Sequence, residues 1–394
     1  RGPGGERTRG GEGGGGGRGW GEWENAGEDA DVEILSGWLL SDADKPARIE
    51  EPDAETPYMT DRAMEFIRAA KDDDRPWCLH LSYIKPHWPY IAPAPYHDMY
   101  GAGEVVPPIR SEEERRDPHP VYGSYMQERV SRAFSRDAVR EHVIPAYMGL
   151  ITQIDDHVGR LMAFLEEEGL TEDTLIVFTA DHGDYLGDHW LGEKELFHEM
   201  SVKIPLIVVD PSAEADPTRG TVSDALVEAI DLAPTFLDAF GGAPKPHVLE
   251  GRSLMPLLRG GYEWERRVAI SEYDYAMRRA RLDNGVPVSD CRMTMVFDGR
   301  WKYVHVEGLR PMLFDLETDP DEFVDLGADP AFESERARLS EAMFAWARKP
   351  ASRITRSDAQ IEAATGRELD TGILIGYWDE ADVEAARQDR SRRG

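Results

Sequence analysis

The stretch Thr174-Leu-Ile-Val-Phe-Thr-Ala-Asp181-His182-Gly183-Asp184 places an apolar run directly before two side chains that can bind a metal ion. A run of Leu, Ile, Val and Phe with polar residues on both sides is typical of a buried parallel strand. Open α/β sheets bind their ligands beyond the carboxyl ends of such strands, where Asp181 and His182 lie. Carboxylate and imidazole groups suit a divalent cation, and Gly183 allows a sharp turn. A strand-to-loop turn capped by Asp explains the same pattern, and the pair alone leaves both readings open.

Composition and charge narrow the classes of partner. The chain has 394 residues and a formal net charge of −31, which disfavours nonspecific binding to nucleic acid or to an anionic membrane. An anionic substrate therefore requires a local positive site. Two cysteines make a disulfide framework unexpected, and no apolar run approaches the ~20 residues that span a bilayer. We expect a cytoplasmic protein without a nucleic-acid or membrane partner.

Helix-like and strand-like segments alternate along the chain, which predicts an α/β fold. The predicted helices are residues 60–71, 139–169, 231–240 and 333–348, and the predicted strands are residues 77–84, 174–180 and 204–209. Asp298-Gly299-Arg300 separates two further apolar runs, at 293–297 and 301–306. This spacing predicts a hairpin, since Gly accepts the positive φ that such a turn requires.

The composition divides the chain into four parts. Residues 1–30 are rich in Gly and Arg and are predicted to be a disordered tail, because they cannot bury apolar surface. Residues 31–261 are predicted to form the α/β catalytic domain, and residues 262–350 a smaller α+β subdomain. Residues 351–394 are a C-terminal extension, whose apolar cluster at 373–378 needs cover and predicts a homo-oligomer contact.

A second cluster of reactive side chains follows the predicted strand at 77–84. It reads Ser82-Tyr-Ile-Lys85-Pro-His87-Trp-Pro-Tyr90. The prolines exclude regular strand pairing and stiffen the segment, so Lys85 and His87 are presented from an ordered loop. Imidazole can donate to a leaving oxygen, and the lysine supplies a positive charge. A Pro-aromatic packing loop with a surface Lys and a core His is the alternative.

Taken together, these stretches resemble the sulfatase family of the alkaline phosphatase superfamily, most closely the phosphonate monoester hydrolases and the arylsulfatase-like enzymes. The resemblance extends over residues 31–380. It rests on five segments: the loop at 85–90, Asp-His-Gly-Asp-Tyr-Leu-Gly-Asp-His at 181–189, Lys-Glu-Leu-Phe-His-Glu at 194–199, Val-Lys-Ile-Pro-Leu-Ile-Val at 202–208, and Phe-Asp-Leu-Glu-Thr-Asp-Pro-Asp-Glu at 314–322. It implies an alkaline-phosphatase-like sandwich: a central mixed, mostly parallel sheet flanked by helices, with a smaller C-terminal antiparallel subdomain.

The resemblance also implies roles for individual residues. Asp181 and His182 correspond to metal ligands, Lys194 to the lysine that contacts the transferred group, and His87 to the histidine near the leaving oxygen. Weaker candidates for substrate binding are Lys85, Tyr185 and His198, and Asp184 and His189 are candidates for supporting roles. The cofactor implied is one divalent cation, with Mn²⁺ or Ca²⁺ ahead of Mg²⁺ or Zn²⁺. The substrate implied is a small anionic ester of phosphonate, phosphate or sulfate.

One departure from the family pattern concerns the nucleophile. These enzymes carry paired acidic residues after an early strand and then a Cys-x-Pro-x-Arg segment, whose Cys becomes formylglycine. Neither element is found, because Cys78 and Cys291 lack the following Pro and Arg. We therefore expect an N-terminally truncated hydrolase with no nucleophile in this chain. An arylsulfatase or sugar sulfatase is the alternative within the class, and a non-catalytic remnant that binds anions or partners is the alternative outside it.

Overall fold

The computed structural model describes residues 43–243, 249–260 and 264–348, together with 362, 363 and 365. The predicted tail at 1–30 and the apolar cluster at 373–378 lie outside the described residues. Within the described part, nine α-helices and six strands are joined by loops and short 3-10 turns. The helices are α1 (Glu55–Ala70), α2 (Pro120–Met126), α3 (Arg129–Phe134), α4 (Asp137–Glu167), α5 (Glu199–Val202), α6 (Leu232–Ala239), α7 (Met255–Leu258), α8 (Arg279–Asp283) and α9 (Glu333–Ala347). The strands are β1 (Ile176–Thr179), β2 (Leu206–Val209), β3 (Ala269–Asp274), β4 (Arg292–Phe297), β5 (Trp301–Val306) and β6 (Met312–Asp315).

The long helix α4 confirms the prediction made from its apolar periodicity. It has 31 residues and ends just before Gly169, whose φ of 68° suits a helix stop. Helix α1 packs on it, with Ile67 buried against Phe164 and Leu165. Helix α1 begins at Glu55, however, five residues before the predicted start. Thr60 does not cap it, since its hydroxyl donates to the Thr56 carbonyl one turn earlier.

The sheet next to the site is antiparallel, which corrects the mostly parallel sheet expected from the sequence. Strand β1 pairs with β2 with Phe178 opposite Ile207. A parallel pair needs a crossover connection, usually a long helix, whereas this connection consists of loops and the one-turn helix α5. The predicted strand at 77–84 is extended, and its side chains alternate between half-buried and exposed, but within the described part it pairs with no strand.

The C-terminal sheet is a four-stranded antiparallel meander in the order β3-β4-β5-β6, and it contains the hairpin predicted between residues 293–297 and 301–306. Its β4–β5 hairpin turns at Gly299, where φ is 100°. Helix α9 covers one face, where Leu339 and Met343 are buried. The other face belongs to the largest apolar cluster, in which Met293 and Phe314 pack with Leu196 and Phe197. The sheet thus supports the loop that carries Lys194.

Helices α6 and α9 also confirm their predictions at 231–240 and 333–348, each to within a residue or two. Among the described helices, none combines the length and the apolar character needed to cross a membrane.

Candidate active site

Two loops that are far apart in the sequence meet at a histidine and a lysine. The Nζ atom of Lys194 lies 2.8 Å from Nε2 of His87, across 107 residues of chain. The ring of His182 lies edge-on to that of His87, with 6.1 Å between the ring centroids. The structure therefore brings together His87, His182 and Lys194, three of the four residues predicted for catalysis and metal binding.

The protonation of His87 follows from its neighbours. Its Nδ1 lies 2.8 Å from the carbonyl oxygen of Trp88. A carbonyl can only accept, so Nδ1 carries the hydrogen and Nε2 is left to accept from the Lys194 ammonium. Burial lowers the pKa of His87, and the nearby Lys194 ammonium lowers it further. The imidazole is therefore held neutral at neutral pH, with its lone pair at Nε2.

Asp181 and His182 follow β1, with their donor atoms close to each other. Nδ1 of His182 donates to the Gly183 carbonyl at 2.7 Å, which leaves Nε2 as the free lone pair, 3.7 Å from Oδ2 of Asp181. The Asp181 side chain is 89% exposed. This nitrogen and this carboxylate fit one flank of a divalent cation site. Within the described part, no three His, Cys, Asp or Glu side chains cluster to hold a metal ion, so the predicted cation stays a prediction.

Gly183 fixes the turn that carries His182. Its amide donates to the Ser201 carbonyl at 2.8 Å, and a Cβ at this position would lie 1.9 Å from the carbonyl oxygen of Met200. That separation is far shorter than any carbon–oxygen contact, so only glycine fits. The close approach places the turn directly against the start of α5.

The backbone of Lys194 is fixed on both sides. Its amide donates to Oε2 of Glu195 at 3.2 Å, and the Ser201 hydroxyl donates to its carbonyl. The preceding Glu193 has a φ of 64°, a left-handed conformation that is unusual outside glycine. The Glu193 carboxylate also lies 3.5 Å from the Lys194 ammonium. The lysine is therefore aimed at His87 by a strained, hydrogen-bonded turn.

Lys85 is presented by the same loop as His87, but its ammonium turns back on that loop. Nζ donates to the carbonyl of Pro89 at 2.7 Å. Burial lowers the pKa of Lys85 to about 8. The contacts of the described residues leave its predicted role in substrate binding untested.

Comparisons with known proteins assign the family. The sulfatase family model matches residues 23–243, more than half of the chain, and the model for the C-terminal region of N-sulphoglucosamine sulphohydrolase matches residues 187–349. The chain belongs to the sulfatase family.

Individual members of the sulfatase family are similar to this chain in sequence. The multifunctional alkaline phosphatase superfamily protein PehA of Trinickia caryophylli is 36% identical over 77% of this chain and 61% of PehA. An arylsulfatase of Clostridium perfringens is 29% identical over 77% of this chain and 60% of that enzyme. The chain thus spans about three fifths of the length of these relatives.

Solved structures show the sulfatase, alkaline-phosphatase-like fold. The phosphonate monoester hydrolase SpPMH from Silicibacter pomeroyi superposes with a TM-score of 0.71 at 31% identity, over 78% of this chain and 63% of that one. The phosphonate monoester hydrolase of Agrobacterium radiobacter superposes with a TM-score of 0.68 at 28% identity, over 77% of this chain and 62% of that one.

Two of the weaker site candidates in this sulfatase-family chain are buried. The Tyr185 hydroxyl lies 3.1 Å from Nδ1 of His198, and it accepts from the His198 amide at 3.2 Å. The His198 ring stacks on that of His189, with 3.8 Å between the centroids, and Nδ1 of His189 lies 2.6 Å from Oε1 of Glu114. Burial, and then the neighbouring His189, hold the pKa of His198 well below its usual range. Tyr185 and His198 thus contact each other in the interior, and their predicted role in substrate binding stays a prediction.

Several polar partners of the site carry no signal of their own in the sequence. The Tyr90 hydroxyl donates to Oδ2 of Asp184 at 2.7 Å and so joins the loop of His87 to the loop of His182. Burial raises the pKa of Asp184 to about 7. Glu195 forms an ion pair with Arg278, which lies in the C-terminal subdomain. In the sequence, only the acidic neighbours of Lys194, Glu193 and Glu195, indicate that it has charged partners.

Proposed function

We propose that this chain is part of a metal-dependent hydrolase of phosphonate or phosphate esters, similar to the phosphonate monoester hydrolases. The observation that carries the proposal is the 2.8 Å contact between Lys194 and a neutral His87 next to the ring of His182. The family membership and the similarity to PehA and to two phosphonate monoester hydrolases support it. An arylsulfatase or sugar sulfatase is the alternative within the same chemistry.

The roles of the site residues follow from their charges and hydrogens. In a chain with a net charge of −31, the Lys194 ammonium supplies the local positive charge that an ester oxyanion needs. When that ammonium turns to the oxyanion, the Nε2 lone pair of His87 can take up a proton from solvent, and the imidazolium so formed donates that proton to the leaving oxygen. Asp181 and His182 would hold the divalent cation, which supplies Lewis-acid polarisation of the ester when bound.

Neither cysteine is assigned as the nucleophile. Cys291 is buried, and burial raises the pKa of its thiol to about 12, so it stays protonated at neutral pH. Cys78 lies in the extended segment at 77–84 that precedes the His87 loop. The proposal therefore places the attacking group outside the described residues.

The test compares three esters and two forms of the protein. The 394-residue chain and the product of the longest reading frame that contains it are assayed with a phosphonate monoester, a phosphodiester and an aryl sulfate, with Mn²⁺ or Ca²⁺ and after chelation. We expect metal-dependent turnover that is highest on the phosphonate or phosphate ester. Highest turnover on the sulfate would select the alternative, and no turnover by either form would overturn the proposal.

Variants of the two central residues test the assigned roles. His87→Ala is expected to lower kcat by about 100-fold or more, most strongly for esters with poor leaving groups, as general acid catalysis requires. Lys194→Ala is expected to lower kcat/KM by a similar factor, because one charge that stabilises the oxyanion is lost. Lys203→Ala is the matched control, since this lysine is 77% exposed and pairs with Glu199. A uniform effect of His87→Ala across leaving groups would contradict its role.

A non-catalytic, anion-binding function of this chain remains a second candidate. Among the described residues, no group of three His, Cys, Asp or Glu side chains can hold a metal ion, whereas the Lys194 ammonium next to His87 offers a positive charge to an anion. Binding of inorganic phosphate or vanadate without turnover of any ester, in both forms of the protein, would favour it.

A further inference from the structure

Glu195 links Lys194 to a distant arginine. The Glu195 carboxylate is buried, with 9% of its side chain exposed. Its Oε2 accepts the Lys194 amide at 3.2 Å, and its Oε1 forms an ion pair with Nη2 of Arg278. The carboxylate therefore has one contact on the site loop and another 83 residues further along the chain.

Arg278 is itself held in place by the C-terminal subdomain. It is the residue before α8, and its Nε donates to the hydroxyl of Tyr273 on β3 at 3.2 Å. The Tyr273 hydroxyl lies 2.6 Å from that of Tyr125 on α2. Helix α2 and strand β3 thus fix the guanidinium before it reaches Glu195.

The ion pair between Glu195 and Arg278 affects the charges near the Lys194 ammonium. The Glu193 carboxylate lies 3.5 Å from the Lys194 ammonium, while the Glu195 carboxylate holds the Lys194 backbone amide. Opposite charges attract strongly in a buried setting, so a Glu195 carboxylate released by Arg278 would turn from the Lys194 amide toward the ammonium and compete with His87 for it. Arg278 neutralises Glu195 and leaves the Lys194 ammonium directed at His87.

We propose that Arg278 is a positioning residue that acts through Glu195 to hold the Lys194 ammonium at His87. Arg278 reaches Lys194 only by way of the carboxylate, so it is not a catalytic residue. The inference rests on the proposed function in one respect, namely that Lys194 binds the substrate oxyanion. The position of Lys194 itself is a property of the folded chain, and it can be measured without turnover.

The first measurement follows the position of Lys194. The 394-residue chain is labelled with ¹³C at lysine Cε, and the Lys194 signal is assigned by its loss in Lys194→Arg. Arg278→Ala is expected to shift that signal, and Arg278→Lys, which retains a cation for Glu195, to restore most of its position. In a Glu195→Gln chain, Arg278→Ala is expected to have little further effect, because no charge is left to neutralise.

The second measurement is the affinity for vanadate, followed by calorimetry. Arg278→Ala is expected to weaken binding about tenfold, which corresponds to about 1.4 kcal/mol. Arg338→Ala is the matched control, since Arg338 lies in the same subdomain and also pairs with two carboxylates, Asp298 and Glu335. The control is expected to lower thermal stability by a similar amount without changing the Lys194 signal or the affinity.

The outcomes separate the two proposals. An unchanged Lys194 signal in folded Arg278→Ala, a signal in Arg278→Lys that is shifted as far as in Arg278→Ala, or an undiminished effect of Arg278→Ala in the Glu195→Gln chain overturns the positioning role. A shifted signal in a chain that binds no vanadate supports the positioning role and counts against the proposed function. If Arg278→Ala does not fold, Arg278→Met replaces it, because Met retains much of the buried shape of the arginine without its charge.

Discussion

At the scale of single residues, one backbone carbonyl determines what His87 can do. The Trp88 carbonyl fixes the hydrogen on Nδ1 and so points the lone pair at Lys194. The same loop holds Lys85, whose ammonium makes one hydrogen bond within the described part of the chain, to the Pro89 carbonyl. A half-buried ammonium with few partners is costly, which explains why burial lowers the pKa of Lys85 to about 8.

This lowered pKa predicts a stability that rises with pH. Between the folded-state pKa of about 8 and the ordinary value of 10.5, the unfolded chain binds more protons at Lys85 than the folded chain does. The free energy of unfolding should then increase with pH in this window, by at most about 1.4 kcal/mol per pH unit. Urea unfolding of wild type and Lys85→Met at pH 7.5, 8.5 and 9.5 measures the difference. The penalty of the wild-type lysine relative to Met should shrink as the pH rises; a constant difference would mean that Lys85 titrates normally.

A second residue-scale prediction concerns Gly183. Any Cβ there would meet the Met200 carbonyl at 1.9 Å, so Gly183→Ala must displace either the His182 turn or α5. We expect a loss of about 3 kcal/mol or more in the free energy of unfolding, in the range of severe backbone strain. Gly159→Ala is the control, because a Cβ on that helical glycine meets nothing within 4 Å, and it should stabilise α4 by roughly 0.5–1 kcal/mol. Equal effects of the two substitutions would show that Gly183 is not constrained.

At the scale of elements, the sequence predicted the helices and turns whose position depends on nearby residues. Helix α4 and the β4–β5 hairpin follow from apolar periodicity and from a glycine at the turn, and both were confirmed. The predicted parallel direction of β1 relative to β2 was wrong. An apolar run has the same pattern in either orientation, and the path of the connecting loop determines which orientation forms. The segment at 77–84 has the alternation of a strand, but strand assignment also needs a neighbour.

Some residues of the site could be predicted from the sequence and others could not. His87, His182 and Lys194 were identified from their motifs, and the structure brings them together. The Tyr90–Asp184 and Glu195–Arg278 contacts join residues more than 80 positions apart. Nothing in the local pattern around either partner indicates such a contact, since it depends on how the loops and the C-terminal sheet pack. The sequence therefore indicated His87, His182, Lys194 and the supporting candidate Asp184, but it gave no sign of Tyr90, Glu195 and Arg278 as their partners.

At the scale of the whole molecule, one lysine ties the C-terminal sheet to the site loop. Lys302 on β5 is 1% exposed and lies 2.7 Å from both Glu199 and Glu322, and it donates to the Phe197 carbonyl at 2.9 Å. Glu322 in turn accepts the amide of Glu199 at 2.7 Å. Because α5 follows directly from the segment that carries Lys194, this triad joins the sheet, the acidic C-terminal motif and the site. The apolar cluster around Leu196 and Phe197 surrounds it.

The triad makes a prediction about how the two parts of the fold are held together. Lys302→Met leaves Glu199 and Glu322 without their cation, and a buried pair broken on one side typically destabilises by about 3–5 kcal/mol. The triple variant Lys302→Met, Glu199→Gln, Glu322→Gln removes every charge, so it should recover most of that loss, since neutral replacements of buried ion pairs are often tolerated. Chemical unfolding of both variants and wild type gives the comparison. If the triple variant is no more stable than Lys302→Met, the loss comes from the shape of the lysine and its bond to Phe197, and the charge balance does not hold the subdomain in place.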